Sequence, residues 1–265
     1  MKSRSLNRRH PFAIFALLVL ALVLTGGTYA FATKSNDAKA ESSSSASDVE
    51  SGQKLFAANC ATCHGLQGQG TKSGPSLVGV GAASVDFQVG SGRMPMQMQG
   101  PQAMRKPPQF NDEQIKQLGA YVASLGPGPS VPSGEQLDYS KMSSEDIAEG
   151  GQIFRTNCAM CHNAAAAGGA LTRGKFAPTL QGVSEKHIYE AMVTGPQNMP
   201  VFSDSNLSPE EKKKVIAFLK TSEEQGSPGG AKLGSLGPVS EGLFIWTAGL
   251  GVVIAFTIWL TSRSH

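Results

Sequence analysis

The chain has 265 residues, room for one large domain or two small ones, and carries 23 basic against 20 acidic side chains for a formal net charge of +3. The basic excess sits at the ends: without Lys2, Arg4, Arg8, Arg9 and Arg263, 18 basic residues face 20 acidic ones, which excludes an electrostatic nucleic-acid binder. All four cysteines, Cys60, Cys63, Cys158 and Cys161, fall in Cys-x-x-Cys pairs, so none is left over for a disulfide framework.

A basic start (1–11) leads into an apolar run at 12–32. The run reads either as a membrane anchor or as a signal segment with an A-x-A cleavage site at Ala30-Phe31-Ala32. A Ser-rich flexible linker follows at 33–48. Two segments, 49–126 and 141–224, then flank a stiffer Pro/Gly-punctuated linker at 127–140. A third linker, 225–242, rich in Gly, Ser and Pro, leads to an uncharged apolar run at 243–260 that predicts a transmembrane helix, with a cytoplasmic tail at 261–265. Lys and Arg lie outside both apolar runs, which predicts cytoplasmic ends and everything between them on the extracytoplasmic face of the cell membrane.

The two central segments repeat one another. GQKLFAANCATCH (52–64) aligns with GGQIFRTNCAMCH (150–162), with seven of thirteen positions identical. GPSLVGVG from Gly74 matches APTLQGVS from Ala177, GRMPM (92–96) matches QNMPV (197–201), and FNDEQIKQLGAYVASL (110–125) matches LSPEEKKKVIAFLKTS (207–222). The blocks keep their order, so one small domain has been duplicated in tandem. Each copy predicts helices joined by long loops. Asn111 with Gln114, and Ser208 with Pro209 and Glu211, open the closing helices as caps. Ile115, Leu118 and Val122, like Val215, Phe218 and Leu219, make an apolar face at helical spacing. No alternating run suggests a sheet, so the fold class is mainly α.

Each cysteine pair is followed at once by a histidine, His64 or His162. A redox dithiol of the thioredoxin kind needs a βαβ context, and a structural zinc site needs four grouped ligands; neither is available within one repeat. Cys-x-x-Cys-His is instead the attachment sequence of c-type haem. Two thiols one helical turn apart add to the two vinyl groups, and the next imidazole points at the iron. The expectation is two covalently bound haem c groups, held by Cys60 and Cys63 and by Cys158 and Cys161, with His64 and His162 as axial ligands. Methionine opposite histidine raises the haem potential. Met94-Pro95 and Met199-Pro200 are repeat-equivalent and fall between haem motif and closing helix, so Met94 and Met199 are the expected sixth ligands. Met96 and Met98 are alternates in the first domain; His187 is the alternate in the second and otherwise reads as a surface histidine. Pro75 and Pro178 are placed to offer a carbonyl to the proximal imidazole and fix its tautomer.

On these motifs each repeat resembles a class I cytochrome c domain, with Cys-x-x-Cys-His first, Pro75-Ser76-Leu77 or Pro178-Thr179-Leu180 next, then Met-Pro and a terminal helix. The whole arrangement, an N-terminal hydrophobic segment, two tandem domains and a C-terminal membrane helix, resembles the dihaem cytochrome c subunit of the actinobacterial cytochrome bc1 complex. That resemblance implies an electron-transfer subunit of a quinol–cytochrome c oxidoreductase (a translocase), not catalytic alone. Its implied partners are cytochrome b, the Rieske iron–sulfur subunit and an aa3-type cytochrome c oxidase, with electrons passing from the Rieske centre to the oxidase. A membrane-anchored dihaem carrier for another dehydrogenase or reductase shares the motifs; a dihaem peroxidase would need a displaceable sixth ligand. No catalytic residue is expected: there is no spare cysteine, phosphate loop or cluster of carboxylates. An insert in the first domain, 96–108, has no counterpart in the second and reads equally as a docking loop or a spacer.

Overall fold

A computed structural model describes residues 11–36, 45–225 and 238–263. The basic start apart from Pro11, much of the linkers at 33–48 and 225–242, and the last two residues of the tail lie outside the described residues.

In each repeat the first and last helices begin in reciprocal caps. Ser45 and Asp48 open α2 (Ala46–Asn59), Asn111 and Gln114 open α5 (Asp112–Ser124), and Ser143 and Asp146 open α7 (Ser144–Asn157). Ser208 and Glu211 exchange the same two bonds ahead of α10 (Pro209–Gln225). Such caps satisfy amide groups that the first turn leaves orphaned, each for about 1 kcal/mol. The caps expected at Asn111 and Ser208 are present.

These helices pair within each repeat, α2 with α5 and α7 with α10. Both pairs cross at a glycine. A Cβ on Gly52 would lie 1.9 Å from the Gln117 carbonyl oxygen, and one on the repeat-equivalent Gly150 would lie 2.0 Å from that of Lys214. No side chain fits there, so the backbones touch and the residues one turn on interlock. Phe56 and Phe154 are fully buried and meet Tyr121 and Phe218, at ring separations of 5.1 and 5.6 Å. Ile115, Leu118 and Val122 close the first core; Val215 and Leu219, with Phe218 partly buried, close the second, as their spacing predicts. A single-turn helix after each crossing, α3 (Ala61–His64) or α8 (Ala159–His162), carries the second cysteine and the histidine. A further helix packs on each core, α4 (Gly81–Gly90) in the first repeat and α9 (Glu185–Thr194) in the second.

Three features of the fold go beyond the sequence reading. Gly169–Ala170 (β1) and Phe176–Ala177 (β2) form a two-residue antiparallel ladder in the second repeat, too short to show as alternation. The 127–140 segment is built into the body rather than spanning a gap. Pro129 accepts from the Ala83 amide, and a short helix, α6 (Gly134–Leu137), brings Gln136 Nε2 to Tyr189 Oη at 3.1 Å. Thirdly, the domains share an extensive contact in which α4 packs on α9.

Outside these domains, α1 (Pro11–Asn36) is a unit by itself, with its apolar stretch at Ile14–Thr28. At the other end, α11 (Pro238–Phe244), a π-helical turn (Ile245–Gly249) and α12 (Leu250–Ser262) form one run. Within it Glu241–Ser262, 22 residues, is long and apolar enough to cross a membrane. At 1.5 Å per residue that is about 33 Å, enough for a hydrocarbon core of about 30 Å. Trp246 and Trp259 sit near its two ends, and the Arg263 guanidinium lies 4.9 Å over the Trp259 ring, as suits interfacial anchors.

Candidate haem sites

Both repeats place the haem-motif residues in the same way. The long helix ends, Cys60 or Cys158 breaks its geometry, and one new turn sets Cys63 and His64, or Cys161 and His162, beside it. The following loop folds back so that its proline carbonyl meets the imidazole. His64 Nδ1 lies 2.8 Å from the Pro75 oxygen, and His162 Nδ1 lies 2.9 Å from that of Pro178. A carbonyl only accepts, so each Nδ1 carries the proton and each Nε2 keeps its lone pair for a metal. Burial pulls the His162 pKa down, only partly offset by the bond to Pro178, which keeps the imidazole neutral. The loops are tied to the same turn: the Thr71 hydroxyl donates to the Cys63 carbonyl at 2.6 Å, and the Gly70 and Gly168 amides donate to the His64 and His162 carbonyls.

The cysteines are not poised as redox dithiols. Burial, then the charge of the neighbouring Cys63 or Cys161, pushes the Cys60 and Cys158 thiols up to about 11. A catalytic dithiol needs a depressed value. No disulfide joins either pair.

Met94 packs against the first core and Met199 against the second. Met199 also shares a cavity with Cys158, Cys161 and His162. That cavity, about 360 Å³, is walled by apolar side chains including Phe154, Leu180, Val183, Ile188 and Leu219, and it falls in the size range of ligand pockets. Three cations line it, Arg93, Arg105 and Lys175, and no aspartate or glutamate does. Two thiols, an imidazole, a thioether, apolar walls and positive charge suit haem, a flat apolar molecule with two carboxylates.

Of the alternate ligands, Met98 is 79% exposed and points to solvent. His187 is no surface residue. Its Nε2 faces α4 at 3.9 Å from Asp86 Oδ2, and its ring stands edge-on to Phe87, although it also borders the cavity. Sequence reasoning failed here because the face that buries His187 belongs to the other repeat.

The same contact holds a group of acids that the sequence did not reveal. Glu190 is fully buried with no hydrogen-bond partner on either oxygen. Donor atoms of Asp86, His187 and Glu190 lie within 4.8 Å of one another. Lys186 Nζ, 2.7 Å from Asp86 Oδ2, supplies the local positive charge. Burial first, and the Asp86 charge second, push Glu190 up to about 9, so it is protonated at neutral pH.

The insert at 96–108 crosses the contact. Gln102 Nε2 donates to the Phe176 carbonyl at 2.8 Å while its Oε1 accepts from the Phe176 amide at 2.9 Å, so a side-chain amide pairs with β2 as a strand would. Gln197 returns the arrangement, bonding the backbone of Ala103 both ways at 3.2 Å. The insert thus ties the two repeats together at Gln102 and Ala103.

Residues 49–126 match the family model for cytochrome c, and residues 145–219 match the one described as cytochrome c oxidase, cbb3-type, subunit III. A cytochrome bc1 complex cytochrome c subunit from Corynebacterium efficiens is 49% identical over 228 residues, covering 82% of this chain and 77% of that protein. The protein of the same name from Mycobacterium tuberculosis is 43% identical over 265 residues, covering 98% and 94%. A cbb3-type cytochrome c oxidase subunit FixP from Sinorhizobium medicae is 31% identical over 129 residues, 45% of this chain and 40% of that protein. Two cytochrome c domains, each with its Cys-x-x-Cys-His turn, give the chain two covalently bound haem c groups.

Proposed function

Because the chain belongs to the family of cytochrome bc1 complex cytochrome c subunits, we propose that it passes electrons from a Rieske iron–sulfur subunit to an aa3-type cytochrome c oxidase. In this reading it sits beside cytochrome b and the Rieske subunit as the electron-transfer subunit of a quinol–cytochrome c oxidoreductase, a translocase. The haem domains lie on the extracytoplasmic side and the C-terminus in the cytoplasm, as the Lys and Arg beyond each apolar run favour.

The observation that carries the proposal is the duplicated turn, in which a proline carbonyl fixes each proximal imidazole with Nε2 available. When bound, the haems supply reversible one-electron exchange. The chain's residues do the rest. Cys60, Cys63, Cys158 and Cys161 tether through thioether bonds that outlast unfolding. His64 with Met94, and His162 with Met199, offer one nitrogen and one sulfur ligand to each iron, a set that favours the reduced metal. The Pro75 and Pro178 carbonyls hold each ring in one tautomer and make it a better donor. Apolar side chains make up much of the wall of the second site.

Deleting the gene should abolish quinol-driven oxygen consumption in membranes while the oxidase still accepts electrons from an artificial donor. Persistence of quinol oxidation through the bc1 branch would instead assign the chain to another dehydrogenase or reductase.

A further inference from the structure

The cavity of the second domain is not closed by that domain alone. Arg93, which follows α4, and Arg105, in the 96–108 insert, both line it from the first domain. Among the described residues neither guanidinium has a carboxylate within ion-pair distance, and neither is hydrogen-bonded through its side chain. The Arg93 guanidinium carbon lies 4.9 Å from the centroid of the Phe87 ring, and the like charge of Arg105 acts on it. Lys175, the third cation on the wall, already donates to Asn198 Oδ1 at 2.6 Å.

Two adjacent guanidiniums, one half-buried and neither paired, are an unfavourable arrangement unless anions meet them. Among the described residues the wall offers no acidic side chain, so a ligand that brings its own anions suits the two guanidiniums. Guanidiniums take carboxylates in a bidentate fork, a geometry that lysine lacks. A haem tethered at Cys158 and Cys161 brings two such carboxylates into this cavity. The loop that delivers Arg105 is pinned three and two residues earlier by the paired Gln102–Phe176 and Ala103–Gln197 bonds, so its guanidinium is presented from a fixed backbone.

We propose that Arg93 and Arg105 of the first domain bind the propionate carboxylates of the haem tethered at Cys158 and Cys161, so that the first domain completes the second domain's site. The proposal rests on that haem being present, and it gives the insert a function. The propionates of the first-domain haem are the other source of the same chemistry, since Met94 adjoins Arg93. The second is favoured because Arg93 and Arg105 share one cavity with His162 and Met199.

The test is a redox titration of the full chain, purified in detergent, comparing the parent with the Arg93→Gln/Arg105→Gln double variant. The haem signals are assigned by Met199→His, which alters only the second site. Loss of two positive charges should favour the oxidised state of the second-domain haem about tenfold at pH 8, equivalent to about 59 mV for a one-electron couple. The arginines also keep the carboxylates ionised, so their removal should add a pH dependence between pH 5 and 8 beyond that of the parent. His162 and Lys175 on the cavity, and Asp86, Lys186 and Glu190 behind His187, are unchanged in the variant; His187, whose pKa both arginines help to lower, is replaced by Gln in parent and variant alike so that its own shift does not enter the comparison. The Arg93→Lys/Arg105→Lys variant keeps the charge and should restore most of the potential. A shift confined to the first-domain haem, or no shift and no new pH dependence with both haems still covalently retained, overturns the proposal. Release of all haem from the denatured parent chain by acid acetone would instead overturn the covalent reading beneath it.

Discussion

Glu190→Gln should stabilise this protein, and by more as the pH rises. Glu190 is wholly buried between the two haem domains, with no hydrogen-bond donor to either oxygen, and burial and the Asp86 charge raise it from 4.5 to about 9. A carboxyl raised in the folded state holds a proton that the unfolded chain has released. Folding therefore takes up a proton between about pH 4.5 and 9, and stability falls across that window as pH increases. The slope is about 1.4 kcal/mol per pH unit, so moving from pH 5.5 to 7.5 should remove about 3 kcal/mol from the parent. Glutamine has the shape of the protonated acid, cannot titrate, and offers an N–H to Asp86. The variant should match the parent near pH 5 and exceed it by about 3 kcal/mol at pH 7.5, a melting difference of roughly 6–12 °C for a body of this size. Thermal unfolding of the detergent-purified full chain, followed by far-ultraviolet circular dichroism at several pH values, reads this directly. A constant difference between the two proteins across pH 5 to 8, or a variant that becomes the weaker protein as pH rises, would show that Glu190 is ionised in the fold.

Two further outcomes follow from the helix crossings and the axial ligands. Gly52→Ala and Gly150→Ala each force a methyl group to within 2.0 Å of a carbonyl oxygen on the paired helix. Each should lower stability by about 3 kcal/mol, and parent-like melting of either variant would refute the close crossing. Met94→His and Met199→His should each lower the potential of one haem and leave the other unchanged, measured by optical redox titration. An unchanged potential in Met199→His would turn attention to His187 as the ligand.

The haem turns, the duplication and the caps were legible because their signals are local. Cys-x-x-Cys-His lies within one turn, Ser208 and Glu211 cap within one turn, and Leu118 and Val122 lie one turn apart on one face. The proline carbonyls were also legible, because the order of the loop is repeated in both copies. What the sequence hid is long-range. Asp86 and Glu190 occupy different repeats, and neither has a neighbour in the chain that marks it as buried. Gln102 and Gln197 act through side-chain amides on distant backbone, where the partner's identity leaves no trace in composition. Gly52 and Gly150 were readable in principle, since they align in the repeat, but a glycine inside a helix signals close approach only once the crossing partner is known.

The duplication explains the way the two sites are joined. Related helices, α4 and α9, pack on each other, and each domain extends one glutamine to the other's backbone, Gln102 to Phe176 and Gln197 to Ala103. This near-reciprocal contact, together with the 127–140 segment bonded to both sides, leaves no free tether between the domains. The repeats then differ where they meet. The insert exists only in the first, and the ladder that receives Gln102 exists only in the second. One peptide bond separates Met94, packed on the first core, from Arg93, which lines the second cavity. An electron carrier built this way sets the separation of its two haems by side-chain packing, not by diffusion of one domain about a linker. Weakening the contact should therefore disturb electron exchange between the two sites before it disturbs either site alone.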